Sequence, residues 1–464
     1  MKKIFPQITL LVAALLLGGA SAPATEFAIF HNFSALTSFP GTNADGSGPD
    51  ADLVAGGSTL YGTTADGGPG EGGTVFAITT GGAFTPLYGF DYENSTNGSG
   101  PTAAMAVSGG VLYGTTRAGG TNGLGTIFSL TTGGQTFAKL HDFGLQLGEY
   151  PPTQLNTNTG GAFPETDLVL SGNTLFGATE QGGPGGNGTL FKINTDGSSF
   201  TVLHNFTNAD GGFPSIHMVV IGTNLYGTTE FGGADVGGVG GGTIFRISTN
   251  GIGFTNLYTF GEASYQPLAG LVMSGNVLYG TTTGGTPGPG GTPYGSIFKI
   301  NPDGTDFTNF YTFDPELNQT APTGALAING NTIYSTDGYG GAYGGAVYQI
   351  QTDGTGYTDL PSNTDPNVTA NPATVTVGTD GNIYGASYFG GTGNAGFVYG
   401  IIPAAVPTAL NIQLAGHSLI LSWATPSLSL YAAPALTSPF VKINNATSPY
   451  TNVFSGAQQY FLIK

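Results

Sequence analysis

"PLAGLVMSGNVLYGTT" occupies residues 267–282 and reads as one complete hairpin. Pro267 opens it, an apolar run leads to Gly275, and a second run closes on the pentapeptide "LYGTT". Proline has no N–H to give a ladder and belongs at a strand entrance. Glycine takes the positive φ that a tight hairpin turn demands. The pentapeptide stands also at 60–64, 112–116 and 225–229, and in altered form as "LFGAT" (175–179), "IYSTD" (333–337) and "IYGAS" (383–387). Its aromatics, Tyr61, Tyr113, Phe176, Tyr226, Tyr279, Tyr334 and Tyr384, are 52, 63, 50, 53, 55 and 50 residues apart. Twelve residues before each stands a proline: Pro49, Pro101, Pro164, Pro214, Pro267, Pro322 and Pro372. Eight residues after each proline comes the turn residue, Gly57, Gly109, Gly172, Gly222, Gly275, Gly330 and finally Asp380. A segment kept to one length seven times is a rigid unit, and the spacing predicts a β-hairpin in each copy.

Two more strands follow in every copy. The third reads "GTVFAI", "GTIFSL", "GTLFKI" and their equivalents, and ends in a turn such as "NTDG" or "NPDG". The fourth reads "FTPLYGF", "FAKLHDF", "FTVLHNF", with apolar positions every three residues instead of every two. Length, turn flanks and aromatic content still mark it as a strand. Four short strands in about 50 residues make a propeller blade. Seven copies predict a seven-bladed β-propeller, with a β-solenoid as the rival. The seventh copy stops after "GFVYGI", and "FAIFHNF" (27–33), close to "FTVLHNF" (200–206), supplies its missing fourth strand from the other end of the chain. Such closure removes exposed sheet edges, and a solenoid has no reason to split a unit between its ends. The pentapeptide is therefore scaffold: its Leu and Tyr face opposite sides of the sheet, and its glycine allows close blade packing.

The pattern "LYGTT-x-x-GG … GT[VIL]F … DG … F-x-x-L-x-x-F" resembles the Gloeobacter/Verrucomicrobia (GloVer) tandem repeat over residues 27–401. The resemblance implies an exported, extracytoplasmic protein, and it brings no catalytic residues and no established activity with it. Members often end in a sorting segment with a hydrophobic helix, which this chain does not show. Residues 405–464, with the single Trp423, resemble small C-terminal β-modules of such exported proteins. They are expected to form a β-sandwich-like sorting or attachment module.

The organisation expected is a signal peptide at 1–24, a propeller at 25–404 and the C-terminal module at 405–464. The leader carries Lys2 and Lys3, a short apolar run and Ala22-Pro23-Ala24, which fits cleavage before Thr25. No later segment is apolar and long enough to span a bilayer. The 464 residues include 82 Gly, 28 Pro, 30 Phe and 22 Tyr. Such aromatic content argues against disorder despite the glycine. A net charge of −18 opposes nucleic-acid binding, which needs a basic surface. There is no Cys, so thiolate and disulfide chemistry are excluded. A monomer without cofactor is expected.

Candidate chemistry is sparse. His31, His141 and His204 share one fourth-strand slot that holds Tyr88, Tyr258 and Tyr311 elsewhere, which reads as a packing position with a polar tip. His217 and His417 show no partner in the sequence. Asp45, Asp50 and Asp52, in "NADGSGPDAD" (43–52), are the one Ca²⁺ candidate; an acidic solvated loop is the competing reading. The long connections between second and third strands and between blades share one face of the ring, and variable loops on a rigid scaffold are where binding usually resides. Four and five residues after each pentapeptide aromatic the copies stop agreeing, and this ring gives the candidate ligand residues Asp66, Arg117, Glu180, Gln181, Glu230, Phe231, Tyr339, Tyr388 and Phe389. Aromatic faces with carboxylates and amides suit a glycan or a protein loop, whereas drift on exposed loop edges would give the same variation. The insertion 144–163 is expected to overhang this face. The reading is a non-catalytic binding scaffold for a polysaccharide or a cell-surface partner. A carbohydrate-active hydrolase or lyase using Glu180 with Glu230 is one alternative, and a passive surface or matrix component is the other.

Overall fold

The computed structural model describes residues 25–37, 41–144, 158–215, 217–233, 240–261, 264–285, 295–313, 322, 324–337, 345–360 and 374–403, together with the strands between 411 and 463. The signal-peptide region 1–24, the overhang 145–157, Tyr339, His417 and Trp423 lie outside the described residues.

The repeat builds a seven-bladed β-propeller of antiparallel four-stranded blades. The first blade, for example, runs Val54–Gly56, Thr59–Thr64, Glu71–Thr79 and Phe84–Asp91, paired in that order. Its innermost strand is the one that follows the proline, and its second strand carries the pentapeptide. The seventh blade has Thr376–Val377, Ile383–Ser387 and Phe397–Pro403, and its fourth position is filled by the N-terminal strand Thr25–Asn32. The Phe33 N–H donates to the Gly396 carbonyl at 3.0 Å, the bond that Phe143, Phe206 and Phe260 make within their own blades. The ring is thus closed by the strand read from "FAIFHNF".

The pentapeptide glycine lies across the strand pair from the third-strand aromatic, as Gly177 opposite Phe191 and Gly62 opposite Phe76. A Cβ on Gly177 would stand 2.5 Å from Phe191 Cζ and 2.9 Å from Leu168 Cδ2. The glycine therefore makes room for a fully buried ring within its own blade, where the sequence suggested packing between blades. Gly177→Ala is expected to cost about 1–3 kcal/mol through overpacking, read as a lower urea midpoint at unchanged slope. A midpoint equal to that of the parent would contradict this account.

The three-residue period of the fourth strand is a β-bulge. In five blades the register skips the middle apolar residue, Leu87, Leu140, Leu203, Leu257 or Phe310, opposite the third strand. One extra residue offsets the alternation, so Phe84 and Phe90, which a regular strand would put on one face, pack into clusters on opposite sides of the blade, Phe84 toward the seventh blade and Phe90 toward the second. The bulged residue also forms the seat for the next blade. Gly134, Gly197 and Gly251, each with φ between +78° and +87°, sit on Leu87, Leu140 and Leu203 of the preceding blade, and at Gly134 the Leu87 carbonyl leaves no room for a Cβ.

The His/Tyr slot is a stacking position between blades. His31 stacks on Phe84 at 3.7 Å, His141 on Phe200 at 3.7 Å, His204 on Phe254 at 3.8 Å and Tyr258 on Phe307 at 3.6 Å. Burial pushes the His141 imidazole down to about 4, against the opposing pull of Asp142, so it packs as a neutral ring.

One turn differs from expectation. Asp380 does not take the positive φ of the seventh hairpin; Gly381 does, at +80°. Asp380 instead accepts hydrogen bonds from the Asn382 side chain and the Tyr384 hydroxyl, at 3.1 and 2.7 Å.

The described residues divide into two units, Phe27–Ile402 and a second one that holds the strands between 411 and 463. The C-terminal strands form two three-stranded antiparallel sheets. One pairs Asn411–Ala415, Ser418–Ser422 and Tyr450–Val453; the other pairs Val441–Lys442, Leu430–Ala433 and Tyr460–Ile463.

Candidate functional site

In the first four blades the chain beyond the pentapeptide stays extended against the segment leading into the same blade's proline. Ser47 faces Asp66, Ser99 faces Ala118, Ala162 faces Gln181 and Gly212 faces Phe231. The N–H groups of Ala65, Arg117 and Glu180 donate to the carbonyls of Gly48, Gly100 and Phe163 at 2.9–3.0 Å. The last pentapeptide hydroxyl completes the clamp. Thr64, Thr116, Thr179 and Thr229 donate to the carbonyls of Asp66, Ala118, Gln181 and Phe231 at 2.8–3.1 Å. Each of these hydroxyls also accepts the N–H of the threonine that starts the third strand, Thr74, Thr126, Thr189 or Thr243. The backbone of the variable pair is held by groups outside the pair.

The first residue of the pair meets the next blade. Arg117 is ion-paired with Glu165, the residue after that blade's proline. Burial raises the Tyr388 hydroxyl, and Asp66 and Asp50 of the first blade raise it further. Burial likewise raises the Glu230 carboxyl, and Glu180 of the preceding blade adds to the shift. Glu180 Oε2 is buried with no hydrogen-bond partner among the described residues. The second residues lie beside them. Phe231 packs edge-on to Phe213 at 5.7 Å, half-exposed Phe389 packs edge-on to Tyr388 at 4.5 Å, and Gln181 and Asp66 are half-buried, with burial raising the Asp66 carboxyl. The structure thus puts Glu180 within electrostatic reach of Glu230, and Tyr388 within that of Asp66 and Asp50, while Arg117 is occupied by Glu165.

One constellation has no counterpart in that reading. His217, read as lacking a partner, lies between two aspartates from other blades. Its Nε2 is 2.8 Å from Asp52 Oδ2, and its Nδ1 is ion-paired with Asp167 Oδ2. Asp52, Asp167 and His217 are each the third residue after their blade's proline, the slot that also gives Ala104, Gly270, Ala325 and Val375. These positions bring three side chains from different blades together across the ring. Asp167 Oδ1 accepts the Ala104 N–H at 2.6 Å, the Asp52 carboxylate accepts the Val375 N–H, and the His217 carbonyl accepts the Leu271 N–H at 3.2 Å. Burial lowers the His217 imidazole, but Asp167 and Asp52 outweigh it and hold it well above the usual imidazole range. A charged slot at one offset from seven prolines, in a chain with only 8% charged residues, is the signal that marks this cluster.

The three aspartates of the calcium expectation have different surroundings. Asp45 is bound by the His31 ring at 2.9 Å and by the Ser34 N–H and hydroxyl, and Asp52 by His217, while Asp50 stands at the surface. Among the described residues no group of three or more His, Asp or Glu is placed to hold a metal ion.

A family model described as the Gloeobacter/Verrucomicrobia repeat matches residues 18–163 and 153–344. None of the curated proteins matches the chain. Among solved structures the chain is similar to an oligogalacturonate lyase in complex with manganese, at 10% identity and a TM-score of 0.50, over 82% of this chain and 97% of that one. It is similar to the GH74 xyloglucanase from Xanthomonas campestris at 12% identity and a TM-score of 0.50, over 86% of this chain and 59% of that one. A third match, at 11% identity and a TM-score of 0.49, is the extracellular domain assigned to a hybrid two-component system of B. thetaiotaomicron, of which the chain spans 44% while 86% of this chain is covered. At these identities the likeness is one of fold. The matched repeat is one of exported proteins, which places the chain outside the cytoplasm. Among the described residues no helix is long and apolar enough to cross a membrane.

Proposed function

The chain belongs to the Gloeobacter/Verrucomicrobia repeat family, and from that premise we propose that it is an exported binding propeller whose variable-pair face takes a polysaccharide. The observation that carries this reading is the pairing of a rigid backbone with unspent side chains. Glu180 lies beside Glu230 with one carboxylate oxygen unbonded, and Tyr388 and Phe389 offer aromatic faces on the seventh blade. Aromatic faces stack on sugar rings, and carboxylates orient their hydroxyls. A pre-formed site loses little freedom on binding. A cell-surface protein loop is the competing occupant, and a glycan array beside a protein pull-down separates the two. Replacing Tyr388 and Phe389 together by Ala is expected to weaken polysaccharide binding at least about tenfold, some 1.4 kcal/mol, by calorimetry on the mature protein. Unchanged affinity would remove this face from the site, and absence of any saturable ligand would favour a passive matrix role.

A second reading is supported by the same carboxylate pair. A Glu raised by burial and by a neighbouring carboxylate is the arrangement of a general acid in glycoside cleavage. Turnover on a polysaccharide panel that disappears in Glu230→Gln and in Glu180→Gln would establish it, and no turnover on a broad panel would count against it.

A further inference from the structure

We propose that Asp52, Asp167 and His217 form a proton-dependent clasp that holds the inner strands of the ring together and releases them when the imidazole loses a proton. Each ring nitrogen of His217 faces a carboxylate oxygen, and an ionised carboxylate only accepts. Both nitrogens must therefore donate, which only the imidazolium does. A neutral ring would turn a lone pair toward one of the aspartates.

The second consideration is connectivity. The three side chains come from the first, third and fourth blades. Asp167 also takes the Ala104 N–H of the second, Asp52 the Val375 N–H of the seventh, and the His217 carbonyl the Leu271 N–H of the fifth. The three residues and their immediate hydrogen bonds thus join six blades. Among the described residues the other titratable groups acting on the cluster are Asp50 and Tyr399, both on the Asp52 side. Tyr399 is turned away to donate to the Thr374 carbonyl at 2.7 Å, and neither group supplies a competing cation.

The direction follows from linkage. The His217 pKa is raised in the fold, so its contribution is complete below the ordinary imidazole pKa and is lost as pH rises through the folded value. Asp52 is raised by burial, with His217 opposing, so its own linkage also favours the fold toward acid. The clasp holds at acid and neutral pH and opens on the alkaline side.

The test uses the mature protein. Long-range ¹H–¹⁵N correlation spectra of the histidine rings are followed from about pH 5 to about pH 10, a span that brackets the ordinary imidazole range. His217 is expected to keep both nitrogens protonated through the interval in which a free imidazole loses one. A ring with one unprotonated nitrogen at neutral pH would overturn the clasp. Melting temperature is measured over the same span in the parent and in Asp167→Asn, which keeps an oxygen for the Ala104 N–H. The parent is expected to fall more steeply on the alkaline side than the variant, and His217 in the variant to titrate earlier. Parallel curves would overturn the release, and if the variant does not fold, the spectra of the parent decide the matter.

Discussion

Removing residues 25–33 is expected to leave a chain that no longer melts in a single transition and that associates in solution. Phe33 is fully buried and stands edge-on to Phe76 at 5.4 Å. Phe30 packs against Tyr384 at 5.7 Å, and Phe27 stacks on Tyr399 at 5.1 Å. Removing one buried Phe ring costs about 3–5 kcal/mol. Loss of three, two of them partly buried, costs roughly 5–10 kcal/mol, comparable with the whole margin of about 5–15 kcal/mol by which native proteins are stable. The deletion also bares the third strand of the seventh blade, a free edge that invites pairing with other chains. A synthetic peptide of residues 25–37, added in excess, is expected to restore the single transition and the monomeric elution volume. A truncated protein that melts as one unit at the parent temperature would show that the ring does not depend on its closing strand.

His217→Ala is expected to destabilise the propeller by about 3–5 kcal/mol, the cost of stranding a buried charge by removing its partner. Here two carboxylates are left facing one another, Asp52 and Asp167, both largely enclosed. Removing the charges with the imidazole should recover much of the loss. The triple change of His217→Leu with Asp52→Asn and Asp167→Asn is expected to lie closer to the parent than His217→Ala, because an apolar or neutral replacement of a whole buried ionic group is often close to neutral. Urea unfolding of the three proteins measures both steps. A single variant within about 1 kcal/mol of the parent would mean that water or a shift of the inner strands relieves the repulsion.

Blade number, ring closure and the hairpin turns were legible because each rests on residues that repeat along the chain: a proline, a glycine and an aromatic at constant offsets. The fourth strand was legible only as an anomaly. Its three-residue period has no meaning in a regular strand and becomes sensible once the Leu is bulged out to meet the next blade's turn glycine. Asp380 misled because Asp tolerates a positive φ, whereas Gly381 beside it adopts one without strain. Of the candidate site, the variable pairs could be located but not their partners. Arg117 finds Glu165, and Glu180 finds Glu230, through the stacking of blades, which a single copy of the repeat does not encode. Asp52, Asp167 and His217 lie 115 and 50 residues apart in sequence, and they meet only because the ring brings equal offsets to one axis.

The threonine that ends the pentapeptide has an evolutionary consequence. Its hydroxyl fixes the carbonyl of the second variable residue, and the inter-segment ladder fixes the N–H of the first, so side chains there are exchanged without altering the main-chain path. In this chain the same clamped position carries Asp66, Ala118, Gln181, Phe231 and Phe389. Acidic, small, amide and aromatic groups are all accommodated. A lineage with this ring is able to change the side chains that it presents there one point substitution at a time while its fold stays constant. Randomising the two clamped positions in each blade would turn the same protein into a library of rigid, disulfide-free recognition surfaces.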